Sequence, residues 1–595
     1  MKKQFSGIYL LVMGLLLSNT QGQTPQLPMG MNIDGASYWS PSPYNDPFKT
    51  AGEFFTYSGS SWSTNLQDQL PFDDNGYPLE VPFTVEGVAQ NIRSMVNTCR
   101  GGEYVFMWDG DGDVSFHGAL SAIQNGSQII VTANGSCDHG WIQINRSNPS
   151  DHLRNFRLIP LEYSADPESA PLFDANFLDG LRPFHALRFM DWMHTNGSFQ
   201  NKWEDRALPT DYSFGVGKGM PIEHAIELSN LLGTEAWFCV PANADDEYIQ
   251  QFAILVRDQL NPLLKAYVEY SNEVWNWGFS QAHFVGRNGL EISWEGDTLQ
   301  VAADTIQAGL AQVGIDYCGD ASSYCHPEKD AYMMDRTFKI WKAVYGSEAT
   351  TRLVRVATAQ HAWYDNTGRV LNYLFTDGDG ADAISVAGYF NFEEDDHNAW
   401  NAMDPASVTP DMIIDSVFNG YEETSGLWTR ESAKYARQYD IDYMVYEGGQ
   451  HMQPYLQGDY AYNQSVWDAQ IHPRMYDLYL KNFEVHVEDT VDCKLFMAFS
   501  YAGNRESRYG SWGHLENFAQ AQLSGAALKL AAPKYAALLD ANTPKTEVPV
   551  AIPVQSLHYR GSATNRMIVK NNQMIIQINK PSGIQEFDLR GNRIP

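Results

Sequence analysis

The feature that most constrains this chain is an alternation. From about Leu172 onward, short apolar runs rich in β-branched and aromatic residues take turns with longer amphipathic stretches. The short runs are HALRFMDWM (185–193), TEAWFCVPAN (234–243), KAYVEYSNE (265–273), RLVRVATAQ (352–360), AISVAGYF (383–390), DYMVYEGG (442–449) and KLFMAFSYA (494–502). An eighth, GMNIDGASYW (30–39), precedes them. Between them lie stretches such as PIEHAIELSNLLG (221–233), which starts on Pro and stops on Gly, and DDEYIQQFAILVRDQL (245–260), which carries acids in its first turn. Both read as helices. Strands that are apolar on both faces belong in a parallel sheet covered by helices on each side. Eight of them alternating with helices predict an α/β fold, the (β/α)8 TIM barrel.

Two regions break the alternation. Residues 73–170 hold PFTVEGVAQN, GEYVFMWDGDGDVSFHG, SQIIVTANG and HGWIQINRS, short strands separated by Gly, Asn and Asp turns. They predict an inserted β-sandwich after the first strand and helix of the barrel, which occupy 23–72. The rest of the barrel is expected over 171–542. TPKTEVPVAIPV (543–554) reads as a linker, and 567–595 alternates like a small antiparallel sheet. This tail resembles the C-terminal sorting or attachment modules of exported bacterial enzymes, and it reads equally as a plain β-hairpin. At the other end, Lys2 and Lys3, the apolar run Ile8 to Leu17, and the small residues Thr20 and Gly22 have the order of a signal peptide over 1–22. No later run is long enough to span a bilayer.

An exported chain allows its six cysteines to oxidise. Cys318 and Cys325, flanking a short polar loop, are the first disulfide expected; Cys99 with Cys137 is the second. Cys239 and Cys493 sit in strand-like runs and read as buried free thiols. None has zinc-site spacing. With 72 acidic against 40 basic residues the net charge is −32. That excludes nucleic acid as a partner, since phosphates need a basic footprint, and disfavours anionic polymers and membranes. It suits a neutral substrate and leaves a cationic polymer open. Sixteen Trp and 32 Tyr exceed what a core needs, so some are expected to line a surface.

In a barrel of this kind the chemistry sits at the C-terminal ends of the strands. The strand ends here carry Arg188 and Asp191 (second strand), Asn272 and Glu273 (fourth), His361 (fifth), Tyr389 (sixth) and Glu447 followed by Gly448 and Gly449 (seventh). Trp512 follows the eighth. Strands four and seven face each other across part of the mouth, so Glu273 and Glu447 are expected to flank one bond. Glycoside hydrolysis needs such a pair, one carboxyl protonated and one ionised. Arg188 would hold Glu447 ionised, and Trp275 with its neighbouring aromatics would desolvate Glu273 and raise its pKa. Asn272 suits a sugar hydroxyl, and Gly448 and Gly449 would leave room for a sugar ring. Period two along the fourth strand places Glu269, Ser271 and Glu273 on one face, with Glu269 deep in the barrel in a structural role.

At this point the sequence resembles a family. Glu269, Asn272 and Glu273 on strand four, a glutamate ending strand seven and an arginine ending strand two look like the clan A retaining glycosidases. That resemblance implies Glu273 as acid/base and Glu447 as nucleophile. LRFMDWMHTN and YVEYSNEVWNWGFSQ are similar to a group of large exported bacterial proteins of this type, often labelled only as carbohydrate-binding. The clan's His-x-Tyr at strand six is missing, because the sequence reads Gly388-Tyr389-Phe390; Tyr389 is taken as the residue that orients the nucleophile.

Other motifs carry less. DGDGD (109–113) lacks the glycine of a calcium loop at its sixth position and reads as a turn. EEDD (393–396) reads as a charge run, or as part of a rim that binds a polar sugar. There is no Gly-x-Ser-x-Gly elbow, phosphate loop, dinucleotide fingerprint or His-Glu-x-x-His. The expectation is a secreted or cell-surface, cofactor-independent retaining glycoside hydrolase, endo-acting on a β-linked polysaccharide, with Arg188, Asp191, Asn272, Trp275, His361, Tyr389 and Trp512 binding substrate. The rival readings are a carbohydrate-binding protein that no longer cleaves and a surface adhesion protein.

Overall fold

The computed structural model describes residues 24–126, 128–137, 139–286, 326–454 and 457–548. Beyond these it describes only the strands Ser293–Trp294, Asp297–Thr298, Asn565–Lys570, Gln573–Lys580 and Gly583–Asp588. The expected signal peptide over 1–22 and the cysteines 318 and 325 lie outside the described residues.

Eight parallel strands close into a barrel: β1 (Met29–Asn32), β2 (Ala186–Arg188), β3 (Glu235–Val240), β4 (Ala266–Tyr270), β5 (Leu353–Thr358), β6 (Ala383–Phe390), β7 (Asp442–Gln450) and β8 (Cys493–Ala498). They neighbour in chain order, and β8 pairs back onto β1. The fold is a (β/α)8 barrel. Its strands read as unbroken apolar runs because both faces are covered, one by the barrel interior and the other by the helices. The helices start and stop where local chemistry satisfies their free backbone groups. Asp245 accepts from the Tyr248 amide to cap Asp246–Gln259, and Gly233, at φ 59°, ends Ile222–Leu232.

The β-rich insertion is a sandwich of two antiparallel sheets around its own apolar core. One sheet orders Arg154–Pro160, Gly102–Asp109, Gln128–Ala133 and Leu120–Asn125. The other orders Phe55–Tyr57, Val88–Met95, Gly140–Ser147 and Gly112–Gly118, with Phe83–Val85 beside Val88–Met95. The sandwich therefore reaches back to Phe55, inside the stretch expected to hold the first barrel helix. That helix, Ala175–Leu181, follows the sandwich. Short 3-10 turns at Pro47–Thr50 and Gln67–Gln69 occupy the earlier stretch, where Pro and Gly are too frequent for a longer helix. Because the insertion lies between the end of β1 and the first helix, it leaves and rejoins the barrel on the mouth side.

Cys99 and Cys137 form a disulfide within the sandwich, and Cys239 and Cys493 are buried and free. The DGDGD stretch is a turn between two strands. Its carboxylates are taken up by Arg146, which grips Asp111, and by Asn155, which donates to Asp109 at 2.6 Å. Among the described residues no group of three or more His, Cys, Asp or Glu could hold a metal ion, and no helix is long and apolar enough to cross a membrane. The EEDD run starts the helix Glu394–Asn401, where acids favour the positive end of the helix dipole.

Candidate active site

The centre of the mouth is built around Arg188, the last residue of β2, which is fully buried. A guanidinium has five N–H donors, and all five are used here. Nε and Nη2 fork onto Glu269 at 2.9 Å each. Nη2 also donates to Asn272 Oδ1 at 2.8 Å. Nη1 donates to Asn32 Oδ1 at 3.0 Å and to Glu447 Oε1 at 2.7 Å. Glu269, buried on β4, also accepts from the Trp237 indole at 2.7 Å and the Cys239 thiol at 3.3 Å. It is the lower anchor of the arginine, and the arginine in turn fixes Glu447.

Glu447 reaches this position through a β-bulge. Along β7 the register with β6 shifts so that Val386 opposes Val445 while Ala387 opposes Glu447, leaving Tyr446 as the extra residue. In a regular strand two successive side chains point to opposite faces. Here both Tyr446 and Glu447 meet the site. The Tyr389 hydroxyl, from the end of β6, donates to Glu447 Oε2 at 2.9 Å, and the Tyr446 hydroxyl donates to Glu273 Oε1 at 3.2 Å. Burial and the glutamates push both phenols up, so they remain donors.

Glu273 arrives by a different route. β4 ends at Tyr270, and Ser271 (φ 56°) and Glu273 (φ 43°) are both left-handed. Extending the strand's period of two to Glu273 is therefore incorrect; a tight turn carries it, together with the buried Asn272, into the mouth. Non-glycine residues seldom adopt this conformation, and strain of this kind gathers at functional sites. Gln281 braces the turn, donating to the Asn272 carbonyl at 2.8 Å and to Asn196 Oδ1 at 2.7 Å. Asn272 uses its oxygen on Arg188 and one amide hydrogen on Asn196, and its second hydrogen has no partner among the described residues.

The two glutamates sit in different fields. Burial pushes Glu447 above the ordinary carboxylate value, while Arg188 and the Tyr389 hydroxyl pull it back. Among the described residues Glu273 touches no cation. The protein packed around it and the charge on Glu447 push its carboxyl up to about 8, against donors from Asn276 and Tyr446. Of the pair, Glu273 is the one that keeps its proton at neutral pH.

Asp191 lies beside Glu447 and Asp34, and burial with these two charges pushes it up to about 7. Asp34, just past β1, is raised to about 6 by burial and accepts from the Ala502 amide at 2.9 Å. Trp275 is half-buried, and so is Trp512, which packs against Phe499 and His451. Each has a buried indole N–H with no partner among the described residues.

Two expectations need correction. His361 does not join the carboxyls. Its Nε2 lies 3.0 Å from Thr429 Oγ1, its ring abuts Trp428, and burial lowers it to about 3, as for a core histidine. Gly448 and Gly449 make room for neighbouring side chains rather than for a sugar. A Cβ at Gly448 would lie 2.3 Å from the Phe496 ring, and one at Gly449, at φ 124°, 2.7 Å from the Tyr479 hydroxyl. Trp277 packs on His283 and His326. Sequence reasoning missed Asn32, Asp34, Asn196, Asn276 and Tyr446. Asp34 and Asn32 end the first strand, so listing that strand's end with the others would have found them. Tyr446 carried no signal, because nothing local announces the bulge.

No protein-family model matches the sequence, and no curated protein matches it. Solved structures do. A GH51 arabinofuranosidase from Xanthomonas axonopodis pv. citri aligns over 70% of this chain and 75% of its own, at 11% identity and a TM-score of 0.38. A double mutant of the β-glucosidase from Trichoderma harzianum aligns over 60% and 86%, at 12% and 0.31. A double mutant of the Cellulomonas fimi endo-β-1,4-mannanase aligns over 69% and 94%, at 12% and 0.26. All three are distant likenesses.

Proposed function

We propose that this protein is a retaining glycoside hydrolase, exported to the cell surface or beyond, that cuts within chains of a β-linked, largely neutral polysaccharide. One observation carries the reading. Within a single barrel mouth, one glutamate is tied to a guanidinium with no donor to spare, and the other touches no cation among the described residues and holds its proton up to about 8. Two carboxyls with opposite protonation at one pH are the requirement for acid-assisted displacement at an acetal.

Glu447, held at one oxygen by Arg188 and at the other by Tyr389, attacks the anomeric carbon. Glu273 gives its proton to the departing glycosidic oxygen. Forming the ester consumes the negative charge on Glu447, and that charge is part of what keeps Glu273 protonated. The carboxyl of Glu273 therefore falls in pKa at the moment it must become a base. It then takes a proton from the water that attacks the same carbon and frees Glu447. Export is supported by the basic and apolar start of the chain, and a neutral substrate by the net charge of −32.

The test is reducing-sugar release from glucans, xylans, mannans, galactans and chitosan, with Glu447→Ala run alongside. The expected result is cleavage of one polymer by the parent and none by the variant. Equal retention of a polymer by both proteins, with release by neither, would make this a binding protein.

A further inference from the structure

The open face of the five-stranded sheet in the sandwich differs from its buried face. Along Gly140–Ser147 the side chains alternate between core and surface, so Trp141, Gln143 and Asn145 face outward. Pairing places His117 beside Trp141 and Ser115 beside Gln143 on the same face. The His117 ring stacks on Trp141 at 5.5 Å and 16°. Trp62 stands edge-on to Trp141 at 5.1 Å and is 52% exposed. Arg93 holds it there, with its guanidinium 5.1 Å from the Trp62 ring and Nη1 donating to the Trp62 carbonyl at 3.2 Å.

Next to this aromatic platform runs a row of polar side chains. Gln143 donates to Asn145 at 2.8 Å, Asn145 to Asp113 at 3.0 Å and to Ser115 at 3.3 Å, and Ser115 bonds His117 at 2.8 Å. The Trp141 indole N–H is buried with no partner among the described residues. Fixed amides and hydroxyls beside aromatic faces suit a sugar ring, whose hydroxyls need paired donors and acceptors and whose C–H faces pack on π systems. Their mutual hydrogen bonds hold the row in place before a ligand arrives.

Contacts tie this sheet to the chain that leaves the barrel mouth after β1. Met95 pairs beside Trp141 and accepts from the Gly52 amide at 2.9 Å. A Cβ at Gly52 would lie 3.1 Å from the Tyr38 ring and 3.5 Å from Met95. Asn97, at the end of the same strand, donates to the carbonyls of Ser37 and Ser40 at 3.0 and 2.7 Å. This pins the segment that follows β1, in which Tyr38 meets Trp39 edge-on at 4.6 Å and Trp39 is 63% exposed. The same segment begins with Asp34 and Gly35; the charge of Asp34 reaches Asp191, and a Cβ at Gly35 would lie 2.9 Å from the Asp191 carbonyl oxygen.

We propose that Trp62, Trp141 and the polar row, continued by Tyr38 and Trp39, bind an extended neutral glycan chain and lead it to the barrel mouth. Only the chain's destination rests on the hydrolase reading; the binding surface stands on its own geometry. A chain carrying −32 repels polyanions, and the Arg93 guanidinium beside Trp62 disfavours a polycation at this surface, so the occupant is a neutral polymer.

The test is affinity electrophoresis in native gels containing hydroxyethyl cellulose, soluble xylan, galactomannan or galactan. Glu447→Gln serves as the parent, so that turnover does not consume the polymer. Trp62→Ala combined with Trp39→Ala should weaken retention by about tenfold or more, and each single change by less. Both rings are mostly exposed, so the fold should survive, as circular dichroism would check. Ile123→Ala, an exposed apolar residue on the opposite sheet, should migrate like the parent. Equal retention of the double variant and the parent would overturn the proposal, as would a parent retarded by none of the four polymers. Retention through Trp62 and Trp39 without hydrolysis would remove the enzyme reading and keep this one. Hydrolysis with retention unchanged in the double variant would do the reverse.

Discussion

Glu273 and Glu447 have the same side chain and share one mouth, yet they differ in backbone and in surroundings. Glu447 lies inside β7, displaced by a bulge and clamped between Arg188 and Tyr389. Glu273 lies beyond the end of β4, on left-handed backbone, and among the described residues meets the neutral donors Tyr446 and Asn276. A carboxyl's role in such a pair is set by what it can share charge with. On the hydrolase reading proposed above, the arginine suits one glutamate to act as nucleophile, and the lack of a second cation among the described residues suits the other to act as acid. Tyr446 links the two, since the bulge that delivers Glu447 also turns Tyr446 toward Glu273.

The strongest way to break the comparison is to remove each carboxyl and ask for different consequences. Glu447→Ala should lower turnover by about ten-thousandfold, because no group remains to form the covalent intermediate. Azide should then restore some turnover, giving a glycosyl azide of inverted anomeric configuration, identified by NMR. Azide rescue of Glu273→Ala should give the retained anomer, because the azide would attack the Glu447 ester. Inverted product from both would mean that the roles are wrongly divided.

Glu273→Gln should cost about 10²–10⁴-fold on polymer and less on an aryl glycoside with an activated leaving group, as expected of a lost general acid. It should also remove one limb of the pH profile. In the parent, kcat/KM should rise with pH as Glu447 ionises and fall as Glu273 loses its proton near pH 8. The variant should keep the rise and lose the fall.

Tyr389→Phe is a gentler probe of the other side. The hydroxyl lowers the pKa of Glu447, so its loss should move the acid limb to higher pH and reduce turnover by roughly tenfold, about the value of one hydrogen bond to a charged group. The alkaline limb, which belongs to Glu273, should stay in place.

The smallest effect concerns the backbone behind Glu447. Gly448→Ala should destabilise the protein by about 1–3 kcal/mol, read by denaturant unfolding, because the added methyl overlaps the Phe496 ring. If the glycine instead served substrate, KM would rise with stability unchanged.

Much of this site was legible in the sequence because a barrel puts strand ends in one place. Arg188, Asn272, Glu273, Tyr389 and Glu447 each stand at or near the end of an apolar run, and all five meet in the structure. The same rule misplaced His361, which also follows a strand end. A side chain just past a strand can turn outward to the helices as easily as inward, and nothing in QHAWY says which. Glycines 448 and 449 were misjudged because their neighbours across the sheet and on the next helix, Phe496 and Tyr479, are distant in sequence.

What the sequence by itself determined is the architecture. Hydrophobic periodicity, helix caps and strand count are local properties, and they were enough to specify an eight-stranded parallel barrel with a β-sandwich inserted in it. Only the tertiary structure decided which glutamate has a counter-ion, which aromatic rings of the sandwich meet, and how adjacent residues of β7 both enter the mouth. Those depend on register shifts, left-handed turns and contacts between segments hundreds of residues apart, such as Arg188 and Glu447. Local chain chemistry fixes the period of a strand but not the residue at which that period breaks.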